Sequence, residues 1–188
     1  MNPLPEILKD IDHRDNIAHW LNNHGLTGTA AEVGVMHGGY SKHVLKDWKG
    51  TKYYMIDLWE RQDKEIYRER TSDINYDQKY NDAKRVADAD PRIFMLRGMS
   101  VDMAPILPDN SLDWVFIDAN HAYKAVLEDM DAYFPKVKSG GLFSGHDFYN
   151  ERTYPYFNEV QDAVERWSRE HEIPFYVTKC SSWWMIKP

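Results

Sequence analysis

Short apolar runs alternating with stretches of helical period constrain this chain more than any other feature. TAAEVGV, KYYMID, RIFMLRG, LDWVFIDA and GGLFSGHD read as five short buried strands. Helical segments separate them. YSKHVLKDW turns Val44, Leu45 and Trp48 inward, a second helix covers about residues 77–89, and a third, around 101–107, stops before Pro108. AYKAVLEDMDAYFPKV puts Ala122, Val126, Met130, Tyr133 and Val137 on one helical face. Ahead of the first strand, IAHWLNNHG aligns Ile17, Trp20 and Leu21 and ends on Gly25, a C-terminal stop. Behind the fifth, Phe157, Val160, Val164 and Trp167 mark a helix. PFYVTK and SWWMIK then form a hairpin with at least one of Trp183 and Trp184 in the core. Such alternation builds right-handed βαβ units, a mainly parallel sheet and helices on both faces.

Ligands of these sheets sit outside the carboxyl ends of the strands. Those ends carry Glu32 and Gly34, Asp57, Gly98-Met99-Ser100, Asp118, and His146-Asp147. One acid there reads as a helix cap; four of five ends with an acid read as a site. The first turn has the spacing Glu32-x-Gly34-x-x-x-Gly38-Gly39. It is neither the GxGxxG of a dinucleotide turn nor a GK[ST] phosphate loop. A carboxylate repels a pyrophosphate and attracts a cation. Asp57, at the end of the second strand, suits ribose hydroxyls. Glu32, Gly34 and Asp57 thus fit S-adenosylmethionine, which carries an ammonium and a sulfonium, better than NAD.

The 188 residues suit one domain, 1–188, with an N-terminal helical segment over about 1–28 and an insertion or lid over about 59–80. A net charge of −7 without a Lys/Arg run argues against nucleic acid or an anionic membrane as partner. The one cysteine, Cys180, excludes a disulfide framework and a CxxC metal site. No apolar run approaches spanning length and the first residues lack a signal core, so a cytoplasmic protein is expected.

AEVGVMHGGYS, YYMIDLWE, LRGMS, LDWVFIDANHAYKAVLEDM, PKVKSGGLFSGHDF and SSWWMIKP, in this order, resemble the class I adenosylmethionine-dependent methyltransferases. The likeness is greatest to a small bacterial and viral group with IDAxHxY and GGxxxGHD segments. It implies a Rossmann-like, doubly wound sheet of seven strands in the order 3-2-1-4-5-7-6, the last antiparallel. It also implies roles for particular residues. Glu32, Gly34, Gly38 and Gly39 match the first cofactor motif, with Ser41 reaching the methionine carboxylate. Asp57 matches the ribose acid, Leu58 lies beside the adenine, Met99 and Ser100 match the adenine edge, and Asp118 closes the methionine end.

Methyl transfer is an in-line displacement, and the protein must align the nucleophile and take or neutralise its proton. The metal-dependent O-methyltransferases that this chain resembles carry an acid after strand four and an acidic pair after strand five. Asp118 and Asp147 match; His146 departs, standing where an Asp is usual. The resemblance thereby raises a divalent metal, Mg or Mn, held by Asp118, His146 and Asp147, with imidazole shifting preference toward Mn, Fe, Ni or Zn. His121, three residues past Asp118, is the expected general base. The expected catalytic pair is therefore His121 and Asp118.

Asp88-Ala89-Asp90 and Asp129-Met130-Asp131 read as solvated acids on or at the ends of helices. The charged stretch from Trp59 to Arg70 is a solvated face or a lid. The expected reaction methylates a small molecule, most simply at an oxygen of a sugar or other hydroxylated metabolite. The acceptor is held by residues 59–80, by residues 149–159, or by another subunit of a homo-oligomer. Two rivals stand beside it: a non-catalytic adenosylmethionine- or adenosylhomocysteine-binding protein, and a nucleotide-dependent oxidoreductase.

Overall fold

The computed structural model describes residues 4–62, 74–149 and 159–188. Seven strands form one sheet: β1 (Thr29–Val33), β2 (Lys52–Asp57), β3 (Ile93–Arg97), β4 (Leu112–Ile117), β5 (Val137–Gly145), β6 (Tyr176–Val177) and β7 (Trp183–Ile186). Their order is β3-β2-β1-β4-β5-β7-β6, with β7 antiparallel to both of its neighbours and the rest parallel. This is the doubly wound sheet that the alternation of strands and helices predicts.

Helices cover both faces. On one lie α1 (Ile17–Asn23), α2 (Gly39–Asp47) and α3 (Tyr76–Ala89); on the other lie α4 (Ser100–Met103), α5 (Tyr123–Tyr133) and α6 (Glu159–His171). The strands feed both cores by alternation. In β4, Trp114 and Phe116 join the first core and Val115 and Ile117 the second. Both Trp183 and Trp184 are buried, one in each core.

Local signals explain the helix ends. Gly25, at φ +72°, closes α1: the Leu26 amide reaches the Leu21 carbonyl and the Gly25 amide reaches that of Asn22. That pair of bonds caps a helix and needs a left-handed residue, here glycine. Val137 departs from its expected place on the α5 face. Pro135 stops the α-helix at Tyr133, a 3-10 turn follows over Phe134–Lys136, and Val137 opens β5 instead. The helix before β6 starts at Glu159 and buries Val160, Val164 and Trp167; Phe157 lies outside the described residues.

The N-terminal segment holds two 3-10 turns, Glu6–Asp10 and Arg14–Asn16, before α1. It is strapped to α2. The Tyr40 hydroxyl donates to the Arg14 carbonyl at 3.1 Å, and a His43 ring nitrogen lies 2.9 Å from the Asp15 carbonyl. No helix of the described residues is long and apolar enough to cross a membrane.

Candidate active site

Order 3-2-1-4 places the reversal of connection direction between β1 and β4, where sheets of this type open a crevice. A cavity of about 310 Å³ lies there. It is large enough for a nucleoside-sized ligand. Gly34, Asp57, Leu58, Ser100, Asp118 and His121 are in its wall.

Gly34 makes the crevice possible. Its φ is +90°, and a Cβ would stand 2.2 Å from the Asp118 carbonyl oxygen. The β1 and β4 ends touch here through backbone alone, the Asp118 amide donating to the Val33 carbonyl at 2.7 Å, while the Gly34 amide ties β1 to β2 by donating to the Ile56 carbonyl at 2.8 Å. Gly38, at φ +80°, precedes α2 and is constrained by packing. Its Cβ would meet Met55, Val86 and Ala83 at 3.2–3.3 Å. Gly39 follows as the first residue of α2, and neither glycine is in the cavity wall.

Asp57 holds the loop after β1. One carboxylate oxygen accepts from the Val35 and Met36 amides at 2.8 Å each, the other from the Trp59 amide at 2.8 Å. A carboxylate has about four acceptor positions, so roughly one remains for a ligand. That is fewer than two ribose hydroxyls would use in full. Burial raises the Asp57 pKa in spite of those amides, which leaves the group receptive to a further donor. Trp59 is itself buried, with its indole N–H on the Met36 carbonyl at 2.6 Å. The charged stretch therefore begins in the core, and residues 63–73 lie outside the described part.

Glu32 sits beneath the crevice, 2% exposed. It accepts from the Ser41 hydroxyl and from the Tyr53 hydroxyl, the latter at 3.0 Å. Ser41 is fully buried, so its hydroxyl faces Glu32 and not the cavity. Burial pushes Glu32 up to about 8; the two hydroxyls pull it down, and Asp118 and Asp57 push it further up. A raised carboxyl stabilises the fold fully below its ordinary pKa and loses that contribution as pH climbs through about 8. Buried Asp129, raised to about 7, acts in the same direction. Unfolding in urea is therefore expected to be harder at about pH 5 than at about pH 8.5, with Glu32 contributing on the order of a few kcal/mol. Glu32→Gln should flatten much of that slope. An equal decline in both proteins would remove Glu32 as its source.

At the ends of β4 and β5 three groups converge. The His121 Nε2 stands 3.5 Å from Asp118 Oδ1 and 3.2 Å from Asp147 Oδ2. Asp147 adopts a left-handed backbone, φ +55°, which brings its carboxylate to this point. Although burial pushes Asp147 up, His146, His121 and Arg14 together hold it below the usual carboxylate range. His146 has another orientation: Nε2 lies 3.0 Å from the Cys180 carbonyl, and Nδ1 lies 3.4 Å from Asp147. The donor atoms of Asp118, His121 and Asp147 all lie within 4.8 Å of one another. So the structure brings His121, where the resemblance implied His146, into the set with the two acids. Two carboxylates and an imidazole at this spacing fit a divalent ion of the Mn, Fe or Zn kind.

Arg14 has no sequence signal yet belongs to the site. Its guanidinium lies over the Tyr40 ring, 5.1 Å from the centroid, and 3.4 Å from Asp118 Oδ2. Met99 precedes α4, and the Ser100 hydroxyl donates to Asp129. Asp129 is 2% exposed, so the solvated reading of that acid is overturned. Asp88 and Asp131 are exposed, as expected. Asp90 is half-buried against Arg92, which also holds the Leu45 and Trp48 carbonyls. Residues 150–158, most of the expected substrate loop, lie outside the described part.

The sequence pattern of the family described as "Methyltransferase domain" matches residues 31–148, well over half of the chain. The chain belongs to that family, and it is a class I adenosylmethionine-dependent methyltransferase. Solved structures share the fold. A putative caffeoyl-CoA O-methyltransferase from Staphylococcus aureus superposes with a TM-score of 0.68 at 17% identity, over 100% of this chain and 93% of that one. The O-methyltransferase NovP gives 0.65 at 17%, over 96% and 78%. The calicheamicin methyltransferase CalS11 gives 0.66 at 12%, over 92% and 77%. No curated protein matches the sequence significantly.

Proposed function

We propose that this chain moves the methyl group of adenosylmethionine to a hydroxyl oxygen of a small, uncharged acceptor, such as a sugar or other hydroxylated metabolite. The observation that carries the reading is the His121 imidazole, held between Asp118 and Asp147 at the wall of the crevice. An imidazole placed so can take the acceptor's proton, and the two carboxylates stabilise the imidazolium that results. The cofactor supplies a carbon already activated by its sulfonium. Gly34 admits it to the crevice, Asp57 accepts from its ribose, and Leu58 and Ser100 stand where its base is expected.

The cavity wall disfavours an anionic acceptor. Among the described residues it presents Asp57, Glu60, Asp118 and Glu159 and no Lys or Arg. An anionic acceptor such as a phosphate ester would meet four carboxylates. Oxygen acceptors also agree with the O-methyltransferases of like fold.

A divalent metal fits the same three residues. Asp118, His121 and Asp147 would hold it, and it would lower the pKa of the acceptor hydroxyl. Nε2 of His121 cannot hold an ion and take a proton at once, so chelation separates the two roles.

The test is transfer of labelled methyl from adenosylmethionine to a panel of hydroxylated and amine acceptors, with and without EDTA. His121→Ala is expected to lower turnover by about 10²-fold or more at unchanged adenosylhomocysteine affinity. Full turnover in the variant would remove His121 as the base. Transfer confined to amines would overturn the oxygen acceptor, and loss of wild-type transfer in EDTA would show that transfer depends on a metal.

A further inference from the structure

Ser100 and Asp129 form a pair to which the transfer step assigns no work. Asp129 is an acid in the apolar face of α5, among Val126, Met130 and Tyr133. Its Oδ1 accepts the Ser100 hydroxyl. The same serine is in the wall of the large cavity. A second cavity of about 20 Å³ lies between Ser100, Asn120 and Asp129, and shares Ser100 and Asn120 with the large one. Its volume suits a single water molecule. Asp129 thus stands one side chain behind the cavity wall and acts on it through one hydroxyl.

A serine hydroxyl has one proton and two lone pairs. An ionised Asp129 only accepts, so it takes that proton, and Ser100 meets the cavity with lone pairs alone. A protonated Asp129 can donate to Ser100 instead, which frees the serine proton to point into the cavity.

We propose that Asp129 sets the hydrogen-bond polarity of Ser100 and thereby selects the purine's 6-substituent: an amino donor when Asp129 is ionised, an oxo acceptor when it is protonated. The inference deepens the cofactor assignment and rests on the expected meeting of Ser100 with the base. Burial, the strongest influence, pushes Asp129 up to about 7, so both forms fall within an ordinary working range. The surroundings preserve the arrangement. Glu128, next to it on α5, pushes the same way and is itself paired with Lys124 at 3.5 Å. Tyr133, one turn further on, donates to the Ser100 carbonyl at 2.7 Å and fixes the serine's backbone. On α4, Asp102 is exposed.

The probes are S-adenosylhomocysteine and its 6-oxo counterpart, S-inosylhomocysteine, titrated calorimetrically at about pH 6 and about pH 8. The ratio of the two affinities cancels other titrating groups of the site, which act on both ligands alike. In the wild type the preference for the amino ligand is expected to fall about tenfold on going to the lower pH, the worth of one hydrogen bond. In Asp129→Asn, and separately in Ser100→Ala, the ratio should no longer depend on pH. A pH-independent ratio in the wild type overturns the inference and leaves the cofactor assignment standing. A dependence that persists in both variants also overturns it, since another group then titrates. Failure of the wild type to bind either ligand overturns the cofactor assignment and this inference together.

Discussion

Gly34→Ala is expected to cost the fold about 3–5 kcal/mol, the sum of a left-handed residue that is no longer glycine and an overpacked contact. The strain comes from two sources at one atom. The backbone holds φ +90°, and the new methyl would overlap the Asp118 carbonyl oxygen at 2.2 Å. That oxygen belongs to backbone and has no rotamer to escape into, so β1 and β4 must part. Native stabilities are about 5–15 kcal/mol, so the loss is a large share of the whole. Urea unfolding monitored by tryptophan fluorescence measures it. The same separation would widen the crevice and weaken adenosylhomocysteine binding. A loss under about 1 kcal/mol would show that the β1 and β4 ends do not touch through backbone here.

Asp57→Ala is expected to weaken adenosylhomocysteine binding by about 10²-fold, the range of one charge-assisted hydrogen bond together with a loosened loop. The carboxylate already holds the Val35, Met36 and Trp59 amides. Removing it therefore frees the loop that follows Gly34 as well as deleting the ribose acceptor. Asp57→Asn separates the two effects. It keeps one acceptor oxygen for the Val35 and Met36 amides, and it puts an NH₂ donor where the second oxygen accepted the Trp59 amide, so only that one tie of the loop is lost. An asparagine variant with a wild-type urea midpoint and weak binding would assign the loss to the ligand contact. Equal affinity in Asp57→Ala and wild type would remove Asp57 from the cofactor site.

The sheet was legible because period and position agree. Alternation in LDWVFI and its neighbours assigns each strand residue to one of two cores, and the cores in turn require helices on both faces. Helix ends were legible where a single residue enforces them, as Gly25 does for α1. Val137 was misplaced because helical spacing continues past Pro135, whose ring forbids the next turn.

The site was legible only in part. Strand-end acids are visible in sequence, but the direction of a side chain beyond a strand end is not. The left-handed turn at Asp147 swings that residue to His121 and leaves His146 against the Cys180 carbonyl. Nothing periodic marks Arg14, which meets Asp118 across a separation of 104 residues. Asp129 does carry a signal in its spacing. It stands three residues after Val126 and four before Tyr133, on the buried stripe itself, so helical spacing places it inside. Ser41 and Ser100 show the same limit from the other side. Each hydroxyl is taken by a buried carboxylate, Glu32 and Asp129 respectively, and neither partner is apparent without the fold.

The most direct test of the account is a calorimetric titration of the folded wild-type chain with S-adenosylhomocysteine. Micromolar, one-to-one binding is the predicted result, with NADH giving no heat. Absence of adenosylhomocysteine binding by protein that unfolds cooperatively in urea would contradict the account at its centre, because the crevice at Gly34 and Asp57 would then hold some other ligand.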